Sequence, residues 1–252
     1  MRFMFFRVQS IVGLCAIYIL ACNSVFGQKI GDRVVVMVTS DAKIADRIVE
    51  KVYSGEIHKL LDIQGSKREW CSLEGVGGWV PTRNIMNMEP ALKQFSARIA
   101  NTPNDWDALA TRGLIHFEMN EFTKAFTDLN EALKYQSGVP TIWNNRGRVL
   151  KAQGKLALAL GDFKKALELN PNYPHAHFNL GLVYYGMNDF DNAIKSYDEA
   201  IKLNDIDVWY YVNRGNTKHA KGDVAGALSD YDAAEKINLA FQKYMLDVAT
   251  FF

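Results

Sequence analysis

Between residues 106 and 239 the apolar and small positions recur every 34 residues. Glycine stands at Gly113, Gly147, Gly181 and Gly215, and two alanine columns keep the same step, Ala125, Ala159, Ala193, Ala227 and Ala132, Ala166, Ala200, Ala234. A bulky apolar column runs Leu129, Phe163, Tyr197, Tyr231. Self-similarity at a fixed period of this length marks a stack of identical supersecondary units. Small residues are required where the two helices of a hairpin approach closely, and the large residue fills the space beside them. The pattern therefore predicts four helix–turn–helix units. The second helix of each begins near Glu121, Lys155, Asp189 or Asp223, just after Asn120, Gly154, Asn188 or Gly222. Asn and Gly tolerate φ > 0 where a helix ends.

Upstream the period changes. Gly31-Asp32-Arg33 leads into the run Val34, Val35, Val36, Met37, Val38, which reads as a strand. Turn signals at Ser54-Gly55-Glu56, Gln64-Gly65-Ser66 and Gly75–Gly78 separate further short apolar stretches, Ile57–Ile63, Trp70–Leu73 and Trp79-Val80. Closely spaced short strands predict a small all-β barrel. Gly75-x-Gly77 is no nucleotide loop, because no helix follows it.

The repeat columns, with Pro171 following Phe163, Ala166 and Asn170, resemble the tetratricopeptide repeat (TPR) family over residues 106–239. The other repeats carry Ser137, Asp205 and Leu239 at the closing-proline position. The resemblance implies a mainly α fold, a superhelical solenoid of units 106–139, 140–173, 174–207 and 208–239, with ligands held on the concave face by the first helices. Residues 28–88 resemble the bacterial SH3-like barrel through Gly55, Trp70, the Gly78-Trp79-Val80 triplet and Ile85. That resemblance implies contact with cell-wall polymer or peptide in some relatives. Residues 41–53 lack the aromatic-rich loop of relatives with a peptide groove, so a packing or spacer role stands beside it.

Residues 89–105 read as a linker and N-terminal capping helix. Pro90 falls in its first turn, Leu92, Phe95 and Ile99 recur at helical spacing, and Pro103 lies one step of 34 before Ser137. The segment matches the second helix of a repeat that lacks its first, as expected of the end of a solenoid. Residues 240–252 are expected to form a C-terminal capping helix, with Phe241, Tyr244, Met245, Val248 and Phe252 on one broad face. That face either folds onto repeat four or serves self-association.

The totals narrow the function. The formal charge is +1, and Arg2 and Arg7 supply +2 of it, so the remainder is about −1 by the same count. A near-neutral chain with no Lys/Arg run longer than two argues against nucleic acid as a partner. Cys15, Cys22 and Cys71 are too few for a disulfide framework. Residues 1–27 read as an export signal: Arg2 and Arg7 precede the apolar core Ile11–Ala21, whose eleven residues are too short to span a bilayer. Cleavage after Gly27 would expose Gln28. Ile19-Leu20-Ala21-Cys22 also resembles the lipobox of bacterial lipoproteins, with Leu20 a departure from it, so the only membrane contact expected is through lipid on Cys22.

No catalytic constellation is legible: no nucleophile elbow, no phosphate loop, no metal-spaced Cys/His set, and His175 and His177 face different ways on a helix. The expectation is a non-enzyme without cofactor or metal. The candidate ligand residues lie on the first helices: Asn145, Asn179 and Asn213 share a column and could pair with a peptide backbone, or bridge neighbouring helices. Around them stand Arg148 and Lys151, then Phe178 and Tyr185, then Trp209 and Asn216, which makes a groove basic at repeat two and aromatic further on. The lysine and asparagine set by which some relatives grip a terminal carboxylate is matched only by Asn145, so carboxylate capture is not expected. Arg112, Arg146 and Arg214 precede the repeat glycines, and Asp128, Asp162 and Asp230 come sixteen residues later; repeat three has Leu180 and Ser196 instead. Arginine and aspartate present or absent together predict an ion pair inside each repeat. The chain thus reads as an exported adaptor for an extended peptide or partner protein. The alternative is an envelope anchor whose barrel binds wall polymer while the repeats act as spacer.

Overall fold

The computed structural model describes the backbone of residues 33–36, 40–44, 47–52, 57–64, 70–73, 79–81 and 85–249, and the side chains of residues 86–239. The expected export segment, 1–27, lies outside the described residues. The chain divides into two compact units, residues 1–119 and 120–252, with the division between the two helices of the first repeat.

In the first unit seven strands form an antiparallel sheet: β1 (Arg33–Val36), β2 (Ser40–Ile44), β3 (Arg47–Val52), β4 (Ile57–Gln64), β5 (Trp70–Leu73), β6 (Trp79–Pro81) and β7 (Ile85–Asn87). Their order is β3-β2-β6-β5-β4-β1-β7. The closed barrel expected from the sequence is not what these strands form. Among the described residues no pairing joins β3 to β7, and β2 meets β6 at the single pair Lys43↔Trp79. Strands of three residues, such as β6 and β7, present too few N–H and C=O groups to carry a closed ladder. The SH3-like assignment therefore rests on the sequence resemblance alone.

From β7 the chain enters α1 (Met88–Asn101) and then α2 (Trp106–Glu118). Ala91 and Phe95 of α1 are buried with Ala108 and Ile115 of α2, and Met86, Met88, Leu92 and Ile99 pack around them. Ala91 and Phe95 stand one period before Ala125 and Leu129, so α1 keeps the buried positions of a second helix. Arg98 clasps Asp105, the N-cap of α2, at 2.8 Å, and Asp105 in turn accepts from the Ala108 backbone N–H at 3.0 Å. This closes the turn between the two helices and satisfies one of the orphan donors at the start of α2.

The second unit continues with α3 (Phe122–Tyr135), α4 (Pro140–Ala152), α5 (Leu156–Leu169), α6 (Pro174–Gly186), α7 (Phe190–Leu203), α8 (Val208–Lys221) and α9 (Val224–Ala249). First helices thus begin at Trp106, Pro140, Pro174 and Val208, one period apart. The hairpins close as the spacing predicts. A Cβ added at Gly147 would fall 2.7 Å from the Phe163 ring, at Gly181 2.5 Å from Tyr197, and at Gly215 2.7 Å from Tyr231. Glycine lets each first helix rest on the aromatic ring of its own second helix. Phe163 and Tyr197 are fully buried there, each contributing roughly 1.5–3 kcal/mol of apolar burial. Asn120 and Asn188 turn at φ 61°, Gly154 at 74° and Gly222 at 93°, the left-handed conformation expected between the helices of each repeat.

Successive hairpins share one core. Leu150, Ala159, Phe163, Leu180 and Val183 form a buried cluster, with Phe126 from the preceding hairpin packed against it. At the C-terminal end the structure departs from expectation. No separate capping helix begins near residue 240; α9 runs unbroken for 26 residues. The second helices α5 and α7 end at Asn170 and Asn204, followed by Pro171 and by Asp205. Their equivalent Asn238 is followed by Leu239-Ala240, good helix formers with no proline to stop them, so the helix continues.

Candidate functional site

Two side-chain bridges tie the first helices of the second unit to one another. Asn179 Nδ2 of α6 donates to Asn144 Oδ1 of α4 at 3.0 Å, and the Tyr210 hydroxyl of α8 meets His175 Nδ1 of α6 at 3.0 Å. Both span 35 residues, one period plus one, and the Tyr210–His175 bridge starts three residues, about one helical turn, before the position equivalent to Asn144. Asn179 and Asn144 are buried, and Tyr210 is 1% exposed. Burial pushes the Tyr210 phenol well above its usual pKa, with Asp207 acting in the same direction. It stays a neutral hydrogen-bonding group. These bridges make α4, α6 and α8 a continuous floor.

The arginine–aspartate pairs of repeats two and four are present as the covariation predicts. Arg146 holds Asp162 through two parallel hydrogen bonds of 2.8 Å, and Arg214 holds Asp230 at 3.0 and 2.6 Å. Each guanidinium also reaches back to the second helix of the preceding repeat: Arg146 Nη1 donates to Asn130 at 2.9 Å, Arg214 Nη1 to Asp198 at 2.6 Å. Each then caps an aromatic ring three residues earlier, Trp143 at 4.8 Å and Tyr211 at 5.5 Å. The backward contact explains repeat three in full. The residue sixteen before Leu180 is Lys164, so an arginine at 180 would face a lysine. Ser196, in place of aspartate, turns its hydroxyl onto the Asn192 carbonyl at 2.8 Å. These arginines are fasteners between helices, each making three hydrogen bonds to protein side chains.

The sequence-nominated ligand residues separate into two groups. Asn145 is half-buried and accepts a long 3.5 Å contact from Asn144; Asn179 is held in its bridge; Asn213 donates to the Trp209 carbonyl at 2.8 Å. The asparagine column is thus engaged with a neighbouring helix at Asn179 and within its own helix at Asn145 and Asn213. It does not stand as a free row of amides. Asn216 is exposed and accepts from the Tyr231 hydroxyl at 2.8 Å. Phe178 is half-buried, its ring tilted against Tyr210 at 5.0 Å and Tyr197 at 5.8 Å. Tyr185 is 41% exposed with one edge toward Phe190 at 5.8 Å, and Trp209 is 67% exposed. Arg148 and Lys151 are half-buried on α4. Burial, and then the neighbouring Arg148, hold the Lys151 ammonium below the usual lysine pKa. The residues that the sequence reading passed over are Asn130 and Asp198, which stand two periods apart with Lys164 between them at the equivalent position of the intervening repeat.

Comparison with known proteins agrees with the hairpin geometry. A family described as TPR repeat matches residues 147–188, and one described as Tetratricopeptide repeat matches residues 174–205. Residues 147–205 carry tetratricopeptide repeats. No curated protein matches the sequence significantly. Among solved TPR-like structures, MamA superposes with a TM-score of 0.58 at 21% identity, covering 62% of this chain and 92% of that one. PilF of Pseudomonas aeruginosa gives 0.55 at 21% identity, covering 59% and 68% of the two chains. YrrB, titled a TPR protein with an unusual peptide-binding site, gives 0.51 at 22% identity, covering 60% and 77%. At these identities the likeness establishes the TPR fold. Among the described residues no group of His, Cys, Asp or Glu is placed to hold a metal ion, and no helix is long and apolar enough to cross a membrane.

Proposed function

We propose that the protein is a non-catalytic adaptor that binds an extended peptide, or an extended segment of a partner protein, along the concave side of its TPR helices α4, α6 and α8. The observation that carries this reading is the solvent-facing aromatic row on a braced floor. Trp209 at 67% and Tyr185 at 41% exposure stand on helices whose buried polar groups are already bonded to one another. Large aromatic side chains left in water on a rigid surface are the residue type that anchors partners. YrrB, similar in fold, is described as having a peptide-binding site, which supports the same use of the fold here. The test is a peptide array probed with the full chain and with Trp209→Ala. Loss of an anchoring tryptophan typically costs about 2 kcal/mol or more. Retained peptides should be lost from the variant while its helical circular dichroism is unchanged; an unchanged set removes the groove from the account.

The N-terminal segment adds a proposal about place. The Arg2, Arg7 and Ile11–Ala21 pattern supports export. Mass spectrometry of the mature chain should find Gln28, or a lipidated Cys22, first, and an intact Met1 start would exclude it. The SH3-like resemblance of residues 28–88 supports a wall contact, which a sedimentation assay with purified wall polymer checks directly.

A further inference from the structure

On each first helix of the second unit four positions share the groove face: 141, 144, 148 and 151 on α4, and their equivalents one and two periods later on α6 and α8. None of the residues at these positions is Asp or Glu, although the chain carries 28 acidic residues against 29 Lys and Arg. The face is basic at α4, with Arg148 and Lys151, and apolar or aromatic along Phe178, Tyr185 and Trp209. Lys151 is half-buried, and its ammonium forms no hydrogen bond or ion pair among the described residues. The other half-buried lysines of the repeats have such partners: Lys165 lies 2.8 Å from Glu168, and Lys218 2.9 Å from Asp230. Both influences on the Lys151 ammonium, burial and then Arg148, disfavour its charge, and among the described residues no carboxylate offsets them. An ammonium partly withdrawn from water beside a second cation is an unfavourable arrangement that an incoming anion relieves.

The spacing of the floor sets the spacing of the ligand. Packed helices lie about 8–10 Å apart and an extended chain rises about 3.3 Å per residue, so neighbouring first helices meet side chains about three residues apart. We infer that the groove selects an acidic extended segment, one that sets an internal Asp or Glu side chain on Lys151 and apolar side chains about three and about six residues away on α6 and α8. This rests on the proposed groove function and adds the chemistry of its ligand.

The test uses an immobilised library of N-acetylated, C-amidated peptides of about nine residues, long enough to cross three helices. One position is fixed as Glu or Gln and the others are varied. Blocked termini prevent a terminal carboxylate from supplying the signal. The full-length protein should favour Glu over Gln by about tenfold, with apolar residues enriched about three and six positions away. Lys151→Met should abolish the preference for Glu and keep the apolar pattern, whereas Lys151→Arg should keep both. Circular dichroism confirms that each variant is folded. Equal retention of Glu and Gln peptides, or a preference for Glu that survives Lys151→Met, overturns the acidic ligand and leaves the groove reading standing. No retained peptide at all, or a set unchanged by Trp209→Ala, overturns the groove reading and this inference with it.

Discussion

Replacing Arg146 by leucine removes a guanidinium that ties three helices at once. It is bonded twice to Asp162 at 2.8 Å, once to Asn130 at 2.9 Å, and lies 4.8 Å over the Trp143 ring. The Arg146 side chain is 17% exposed and that of Asp162 7%, so the aspartate left behind is a buried, uncompensated charge. One-sided loss of a buried pair costs about 3–5 kcal/mol, and the residual water access of this one favours the lower end, about 3 kcal/mol. Asp162→Ser alone should cost less, about 2 kcal/mol, because the remaining arginine keeps Asn130 and the tryptophan face. The double variant copies Leu180 and Ser196 of repeat three, a combination the fold already accommodates. It should lose about 2 kcal/mol where simple addition gives about 5, a coupling of about 3 kcal/mol. Urea denaturation of the four proteins, followed by circular dichroism, measures the cycle, and the single arginine variant should also melt roughly 6–12 °C lower. A double variant as unstable as the sum of its singles would refute the fastening role. The reciprocal design is equally specific: Leu180→Arg with Ser196→Asp should gain little until Lys164→Asn removes the facing cation.

The same geometry leads to three further outcomes. Gly181→Ala would drive a methyl group to 2.5 Å from the buried Tyr197 ring, so the gain of about 1 kcal/mol in helix propensity should be outweighed by overpacking of about 1–3 kcal/mol or more, read as a fall in melting temperature. Asn188→Val places a β-branched residue at φ 61° and should destabilise by about 1–2 kcal/mol, while Asn188→Gly should be neutral or stabilising in the same melt; equal effects would contradict the role of the left-handed turn. The third outcome concerns pH. Burial and Arg148 lower the Lys151 pKa in the free protein, and a bound carboxylate raises it, so the complex holds the proton more tightly. Affinity for a Glu peptide should therefore be full below the free-state pKa and decline as pH rises from there through the bound-state pKa. The decline should begin below the ordinary lysine value of about 10.4, and Lys151→Arg should postpone it; calorimetric titration across alkaline pH checks both.

The legibility of each feature in the sequence tracks the strength of its physical demand. Helix contact at Gly147, Gly181 and Gly215 admits no side chain, so the residues repeat without exception and the hairpins were legible. The φ > 0 turns at Asn120, Gly154, Asn188 and Gly222 were legible for the same reason. The ion pairs showed because Leu180 and Ser196 change together; the backward reach to Asn130 and Asp198 did not, because its signal, Lys164, lies in a neighbouring repeat. The asparagine column shows the limit of a one-residue reading. Asn179 bridges to Asn144, which stands in the next column about 100° around the helix, whereas Asn145 and Asn213 bond within their own helices, so a row of like amides does not make like contacts. Sheet closure was illegible because strand composition predicts strands without fixing which edges meet. The length of α9 turned on Leu239, which stands where a proline would have ended the helix.

The central claim is that ligand lies along α4, α6 and α8, and amide and side-chain chemical-shift mapping of the full-length protein tests it directly. Titration with a Glu-containing peptide retained by the library should shift the Trp209 indole, Tyr185, Phe178, Arg148 and the Lys151 ammonium, and leave Thr127, Leu158 and Lys195 on the exposed faces of the second helices unmoved. Largest shifts on those second-helix faces, or in strands β1–β7, would contradict the account.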